Sequence, residues 1–306
     1  MIKKLLSEAL SVYSYLTEQE DDFDPLSHGI QPDPDEVDDT NICYLKISGG
    51  NSKLDWPYLS LPAGYTCPNA ISCKSFAAKS HHKFSDGSSL KKASELTKFG
   101  CFAARAQAQY PELNKNVFSN LKLLNIAAKS GGVDAMAKLI LDSIKHAGLE
   151  NIRIFRIHEG GDFFSKDYMA AWIKVANALP NTNFYTHTTS LPFWIALKSI
   201  MPDNFNLIAS FDDSSDSNKE LILKNGLRYS KVVYSVDEAK RLKLKIDYDD
   251  TLACCSKENF ALLLHGGQPA GSEASKAVQI NKKAGDYDKI KKLHKINKPY
   301  RDELMK

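Results

Sequence analysis

With 306 residues, of which 43% are hydrophobic and 25% charged, the chain can bury a sizeable core and has the composition of a globular protein. No run of apolar residues approaches the length that crosses a membrane, which excludes a membrane-spanning protein. The first residues lack the long apolar stretch of a secretory signal, so we expect a cytoplasmic protein.

The net charge of +3 is distributed unevenly along the chain. Residues 1–40 hold 11 acidic residues and two lysines, and we interpret them as a separate acidic segment. The other 266 residues hold 38 Lys and Arg against 26 Asp and Glu, a net of +12. A basic body suits a polyanion such as DNA, although lysine-rich helix faces that only keep a protein soluble give the same balance.

The first third of the chain predicts irregular structure followed by helices. Residues 42–48 alternate like a strand, and the loop after them is rich in aromatic residues, proline and cysteine. The polar residues 74–100 are typical of an insertion that carries a short helix. Helical patterns then cover Cys101 to about Ser130, and Val133 to Ala147, which ends before a glycine.

From residue 150 onward, strand-like and helix-like segments alternate, which predicts an α/β fold with a mostly parallel sheet. The predicted strands are 152–158, 183–188, 206–211 and 230–235, with 251–254 as a candidate fifth. The predicted helices are 166–179, 192–200, 217–225 and 237–242. This number of strands suggests a (β/α) barrel-like or partial barrel, with an open sheet as the alternative. We expect this catalytic domain at 41–268 and a lysine-rich C-terminal extension at 269–306.

Polar side chains collect where the predicted strands end. The stretch I-R-I-F-R-I-H-E-G-G-D-F-F-S, residues 152–165, leads from a buried type of strand into a glycine pair and Asp162. Active sites of α/β proteins gather at the carboxyl ends of parallel strands, so we predict a site there. The candidate catalytic residues are Asp162, Asp212, His158 and His187. The alternative is that such aspartates cap helices and that such histidines are hydrogen-bonded in the core.

Paired carboxylates on neighbouring strands can divide the work of breaking a glycosidic bond. One stays ionised as a nucleophile or charge stabiliser, while the other has a raised pKa and carries a proton. Asp162 and Asp212 are the pair that we expect in these roles.

The six cysteines suggest metal ligation more than plain burial. Cys67 and Cys73 lie in the proline-rich loop, and Cys101 opens a predicted helix. With Cys255 as a fourth ligand they would form a zinc site or hold an iron–sulfur cluster. Cys254, His265 and His82 are the alternatives for the fourth position.

Several blocks resemble the bacteriophage gene-product-88 family in the same order, over roughly residues 42–260. The blocks are L-S-L-P-A-G-Y-T-C-P (59–68), C-F-A-A-R-A (101–106), H-E-G-G-D-F-F-S (158–165), Y-M-A-A-W (168–172), F-Y-T-H-T-T-S (184–190) and N-L-I-A-S-F-D (206–212). The chain departs from the family in the long polar insertion between Cys73 and Cys101.

Some members of this family are thought to resemble phage DNA-guanine transglycosylases, which are relatives of barrel enzymes with two aspartates and a structural zinc. The resemblance implies exchange of guanine in DNA for a 7-deazaguanine base such as preQ0, which protects phage DNA from restriction in the host cytoplasm. Either Asp162 or Asp212 would attack the sugar. The expected substrate-binding residues are Phe163, Phe164, Tyr185, Arg156 and Ser210, with the aromatic rings stacking on an extruded base.

Two further functions stay open at this stage. An iron–sulfur enzyme of the radical type would use Cys67, Cys73 and Cys101 on a partial barrel, although the tight cysteine spacing usual for such enzymes is absent. A nucleic-acid-binding protein without enzymatic activity would use its cysteines only to fasten a loop.

Overall fold

The computed structural model describes residues 43–51, 54–80, 83–85, 99–211 and 216–304. Three features of the sequence therefore lie outside the described residues: the acidic segment 1–40, most of the insertion 74–100 including His82, and Asp212.

A six-stranded sheet in which every pairing is parallel forms the centre of the described fold. A short antiparallel hairpin precedes it, made of β1 (Ala78–Ser80) and β2 (Lys83–Ser85). The strands of the sheet, in chain order, are β3 (Ile154–Arg156), β4 (Asn183–Thr188), β5 (Phe205–Phe211), β6 (Tyr229–Val233), β7 (Lys245–Asp247) and β8 (Phe260–Leu263).

In space the order is β3-β4-β5-β6-β8-β7, and the sheet curls into a half-barrel. This confirms an α/β fold of the barrel-like, partial kind. The described strands do not make the eight-stranded closure of a complete (β/α) barrel. Because all strands are parallel, their carboxyl ends lie along one edge of the half-barrel.

Residues 58–61 extend the half-barrel at the β3 edge. They lie just before the loop that carries Cys67 and Cys73, called the cysteine loop below. Tyr58 bridges Arg156 in parallel, Leu59 N–H donates to the Arg156 carbonyl, and Leu61 N–H donates to the Gly160 carbonyl at 2.8 Å. The loop that begins after Leu61 therefore starts at the same edge as the ends of β3 and β4. The predicted strand at 42–48 is reduced to an isolated antiparallel bridge between Ser48 and Tyr58.

Helices surround the sheet. They are α1 (Phe102–Gln109), α2 (Pro111–His146), α3 (Lys166–Ala178), α4 (Leu191–Leu197), α5 (Asp216–Lys224), α6 (Val236–Arg241), α7 (Thr251–Cys255), α8 (Glu273–Lys283) and α9 (Asp286–Leu304). Helix α2 breaks at Gly131 and Gly132, where two separate helices were predicted, and Gly132 has a φ of 58°. None of the helices in the described ranges is both long and apolar enough to cross a membrane.

Three of the helices begin at a serine that caps them. Ser165, Ser235 and Ser272 each accept a hydrogen bond from the backbone N–H three residues later. At the C-terminal end, the basic extension attaches to the sheet through α8 and α9. Asn281 donates to the Tyr234 carbonyl at 2.9 Å, and the Tyr287 hydroxyl donates to the Leu264 carbonyl at 2.6 Å.

After residue 150, one predicted strand was wrong and two strands were missed. Residues 251–254 belong to helix α7, so Cys254 and Cys255 do not end a strand. A short apolar run does not distinguish a strand from a buried helical turn, because neither period repeats within it. Strand β7 has three residues, and β8 is the uniformly apolar run F-A-L-L, so neither shows the alternation of a half-buried strand.

The two faces of the sheet are packed differently. The convex face holds the main core, in which Trp172 of α3 packs against Phe155 and Phe184, with ring centroids 5.8 and 5.9 Å apart. On the concave face, α7 covers only part of the sheet and shares a smaller core with Tyr185 and Phe260. Polar side chains can therefore remain open on the concave face.

Replacing Trp172 tests the convex core. Trp172 is 1% exposed, so Trp172→Ala removes a large buried ring and should lower the free energy of unfolding by about 3–5 kcal/mol. Urea denaturation measures the change, and Tyr110→Ala, at a tyrosine that is 55% exposed, should alter stability by less than about 0.5 kcal/mol. Equal effects of the two variants would contradict the described core.

Candidate functional site

Three cysteines gather at the strand-end edge of the half-barrel. The Cys67 N–H donates to the Gly64 carbonyl, and the Cys101 N–H donates to the Ser75 hydroxyl. Burial raises the pKa of the Cys67 thiol well above its usual value, and the negative charges of Asp162, Cys101 and Cys73 raise it further. The other two cysteines therefore act electrostatically on the Cys67 thiol.

The Gly160-Gly161 turn after β3 packs directly on this cysteine loop. Gly161 has a φ of 83°, and a Cβ atom there would lie 2.6 Å from the Thr66 hydroxyl and 2.7 Å from the Leu61 Cβ. A Cβ at Gly160 would lie 2.9 Å from that of Ala103. Only glycine fits at these two positions, because the turn and the loop approach each other without space for side chains.

Asp162 is a buried carboxylate with a full set of hydrogen-bond donors. Its Oδ1 accepts from the Phe163 N–H at 2.7 Å and the Thr188 hydroxyl at 2.6 Å. Its Oδ2 accepts from the N–H and the hydroxyl of Thr189 at 2.7 and 2.8 Å. Burial raises its pKa, against the opposite effect of these hydrogen bonds. Asp162 is 4% exposed, and it fastens the end of β3 to the end of β4.

Three other predicted site residues lie on the convex side of the sheet. His158 is buried, with Nε2 3.1 Å from the Tyr168 hydroxyl, and burial followed by the charge of Arg156 lowers its pKa to about 3. Phe163 belongs to the main core, and Phe164 stacks on Tyr168 with centroids 4.5 Å apart. In this position the buried Phe163 ring packs in the core instead of offering a face to a base.

On the concave face, Arg156 of β3 forms an ion pair with Asp250, which immediately precedes α7. Arg156 Nη1 lies 2.7 Å from Asp250 Oδ2, and the Tyr185 hydroxyl donates to the same oxygen at 2.8 Å. Trp56 Nε1 in turn donates to the Tyr185 hydroxyl at 2.6 Å. Burial alone would raise the pKa of Asp250, but Arg156 and His187 lower it on balance, so the carboxylate stays ionised.

His187 projects from β4 onto the same concave face. Its Nδ1 lies 3.0 Å from the Ser230 hydroxyl, and the ring meets the edge of Phe260. Burial, followed by the charge of Arg156, lowers its pKa to about 4, so the imidazole is neutral at pH 7. Ser210 lies opposite Ser230 in the pairing of β5 with β6. Of the predicted residues, Arg156, Tyr185, His187 and Ser210 thus share one face.

Besides Asp250, Asp247 also contacts helix α7. It accepts from the Ala253 N–H at 2.8 Å, and burial followed by the charge of Asp250 raises its pKa to about 7. Neither Asp247 nor Asp250 was predicted from the sequence. The three aspartates of D-Y-D-D, directly before a short apolar run, were the only sequence feature that pointed to them.

Cys255 is not beside the other three cysteines. It forms a disulfide with its neighbour Cys254, whose carbonyl accepts from the Asn183 side chain at the first residue of β4. Helix α7 therefore runs back toward the amino ends of the strands, away from the cysteine loop. The prediction that Cys255 is the fourth thiol ligand was therefore wrong, because the chain carries Cys255 away from the other three cysteines.

His265, the alternative fourth ligand, lies closer to the cysteine loop. Its ring is 6.3 Å from that of Phe102, which follows Cys101. Within the described ranges, no group of three or more His, Cys, Asp or Glu side chains is arranged to hold a metal ion.

The family model "Gene product 88" matches residues 38–283. The chain belongs to this family. It is 26% identical over 177 residues to the Gene 88 protein of Mycobacterium phage L5, which covers 56% of this chain and 64% of the phage protein. The Gene 88 protein of Mycobacterium phage D29 is 24% identical over 205 residues, 66% of this chain and 75% of the relative. No solved structure matches this Gene product 88 family member.

The Asp162 network predicts a large effect of a nearly isosteric change. In Asp162→Asn one oxygen becomes an NH₂ group that faces a backbone N–H, either of Phe163 or of Thr189, and a backbone donor cannot rotate away. We expect a loss of about 2–3 kcal/mol in the free energy of unfolding, measured by urea denaturation. The exposed Asp203→Asn is the control, and an unchanged stability of Asp162→Asn would contradict the network.

The raised pKa of Asp247 predicts that the stabilities of the wild type and of Asp247→Asn depend differently on pH. Its pKa is about 7 in the fold and about 4 in the unfolded chain, so its contribution to stability declines as the pH rises from about 4 to about 7. Asp247→Asn has no such proton. The unfolding free energy of the wild type relative to this variant should therefore fall between about pH 4 and about pH 7. Parallel curves for the wild type and Asp247→Asn would refute the raised pKa.

Proposed function

We propose that this family member is an iron–sulfur enzyme of the radical type, in which Cys67, Cys73 and Cys101 hold the cluster at the mouth of the half-barrel. The substrate would lie on the concave side of the sheet, which carries Arg156, Asp250 and the neutral His187.

The arrangement of negative groups around Cys67 carries this proposal. Burial raises the pKa of the Cys67 thiol, and the charges of Asp162, Cys101 and Cys73 raise it further; burial also raises the pKa of Cys101, with a smaller effect from the charge of Glu159. In thiolate form these sulfurs would bring several negative charges near Asp162, and a bound cation would offset those charges. Thiolates are the ligands that iron–sulfur clusters and zinc prefer, and binding would bring the three sulfurs into a coordinating arrangement.

A cluster suits the three thiols better than a single zinc ion does. Each thiol of a cluster binds a different iron, so the sulfurs stand farther apart than the ligands of one ion. A thiol set without a close fourth member leaves one iron with an open coordination position. When bound, such a cluster supplies single electrons to a co-substrate on its open iron, such as S-adenosylmethionine, given an external one-electron reductant.

Guanine exchange in DNA with a structural zinc is the second candidate. The location of Asp162 at the end of β3 favours it, because nucleophiles of barrel enzymes lie there. The four donors that surround the carboxylate, and its burial, rank it below the cluster enzyme, because an attacking oxygen needs an open approach to the sugar. DNA stays the proposed macromolecular partner in either case, because the body of the chain carries a net charge of +12.

Anaerobic reconstitution with iron and sulfide tests the cluster. The wild type should turn brown and hold about four irons per chain by metal analysis. Cys67→Ala, Cys73→Ala and Cys101→Ala should each lose most of this iron while keeping the far-UV circular dichroism of the wild type. Cys43→Ala is the matched control, because Cys43 is an exposed free cysteine, and it should retain the iron.

Other outcomes separate the two candidates. A colourless protein with one zinc per chain would overturn the cluster and support base exchange. Nucleoside mass spectrometry of DNA from cells that express the chain, with a 7-deazaguanine supplied, would then have to show the modified nucleoside.

A further inference from the structure

Three hydrogen-bonding groups on the concave face have no partner in the part of the chain that the structure describes. They are Nε2 of His187, Oδ1 of Asp250 and the hydroxyl of Ser210, and each belongs to a residue that is partly exposed. His187 and Ser210 point to this face because each lies on a neighbouring strand in register with the residues that line it.

The first two groups are held in place by their other atoms. Asp250 uses Oδ2 for both Arg156 and Tyr185, and its backbone has a φ of 60°, a conformation that aspartate tolerates. It makes no side-chain capping bond to α7. His187 uses Nδ1 for Ser230. A ligand would therefore meet groups that are already ordered, which lowers the cost of binding.

The charges on this face select against an anion. The positive charge of Arg156 is already compensated by Asp250 at 2.7 Å, and Glu159 adds a further negative charge that Arg156 also experiences. His187 is neutral at pH 7. The positive charge of Arg228 also reaches His187, but its guanidinium binds the Leu252 and Ala253 carbonyls. A phosphate or carboxylate at Asp250 Oδ1 would thus meet a carboxylate oxygen, whereas an N–H donor would find an acceptor there.

We infer that the concave face binds an uncharged amide-like edge, in which an N–H lies beside a C=O, as in a carboxamide or a heterocyclic base. The N–H would donate to Asp250 Oδ1, and the C=O would accept from the Ser210 hydroxyl or from His187 Nε2 when that atom carries the ring proton. This site names the substrate class of the proposed enzyme and rests on the proposed function for that role. Glu159 links the two, because its charge acts on both Cys101 and Arg156.

Two isosteric probes test the charge selection. Acetamide and acetate are titrated into the full-length chain labelled with ¹⁵N-histidine, and the ring signals of His187 are followed by NMR after assignment with His187→Gln. Acetamide should shift the His187 signals with a dissociation constant at least about tenfold lower than that of acetate. The signals of His146, exposed at the end of α2 and stacked on Tyr44, serve as the internal control.

The variant Ser210→Ala tests the proposed hydrogen bond to the ligand carbonyl. Ser210→Ala removes a hydroxyl that has no partner among the described residues, so it should keep the fold and weaken acetamide several-fold without affecting His146. Acetate that binds as well as acetamide, or His187 signals that neither probe shifts, would overturn the inference. A chain that binds acetamide but takes up no iron would support this binding site and contradict the proposed iron–sulfur enzyme. A chain that takes up iron but does not bind acetamide would support the enzyme and contradict the binding site.

Discussion

The buried carboxylate of Asp162 is the constraint on which the site depends. Its four hydrogen bonds join the exit of β3 to the exit of β4, and its charge lies beside Cys67. The turn that carries it contains Gly160 and Gly161, which pack against the cysteine loop at distances that leave no space for a Cβ. The ends of two strands and the cysteine loop are therefore fixed relative to one another, and the position of the thiols follows from that geometry.

The alternation of residues along β4 separates structural from functional side chains. Phe184 faces the main core on the convex side, while Tyr185 and His187 face the concave side. The convex side is covered by helices and is apolar, so it supplies most of the stability. Among the described residues, α7 and the segment that holds Leu54 and Trp56 pack on the concave side, where charged and hydrogen-bonding groups stay partly exposed.

Much of the fold could be predicted from the sequence, because β4, β5 and β6 are long enough to show their pattern and α3 begins at a capping serine. The site could be predicted only in part. Asp162 was identified because glycines precede it after a strand. Asp250 was missed, because its role depends on an ion pair with a residue 94 positions earlier, and no local pattern encodes such a contact. The placement of Cys255 failed for the same reason, since it depends on the direction in which α7 runs.

The turn after β8 joins the two ends of the domain. Gln268 accepts from the Gly100 N–H at 2.8 Å, across 168 residues, and the Arg105 guanidinium lies so close to Gly267 that a Cβ there would be 2.7 Å from Nη1. Contacts between such distant segments form late in folding, because a long loop must close before they contribute. The start of α1, which follows Cys101, therefore depends on a contact with the turn after the last strand. A chain truncated before Gly266 would retain Cys67, Cys73 and Cys101 and still lack the contacts of Gly267 and Gln268 with Arg105 and Gly100.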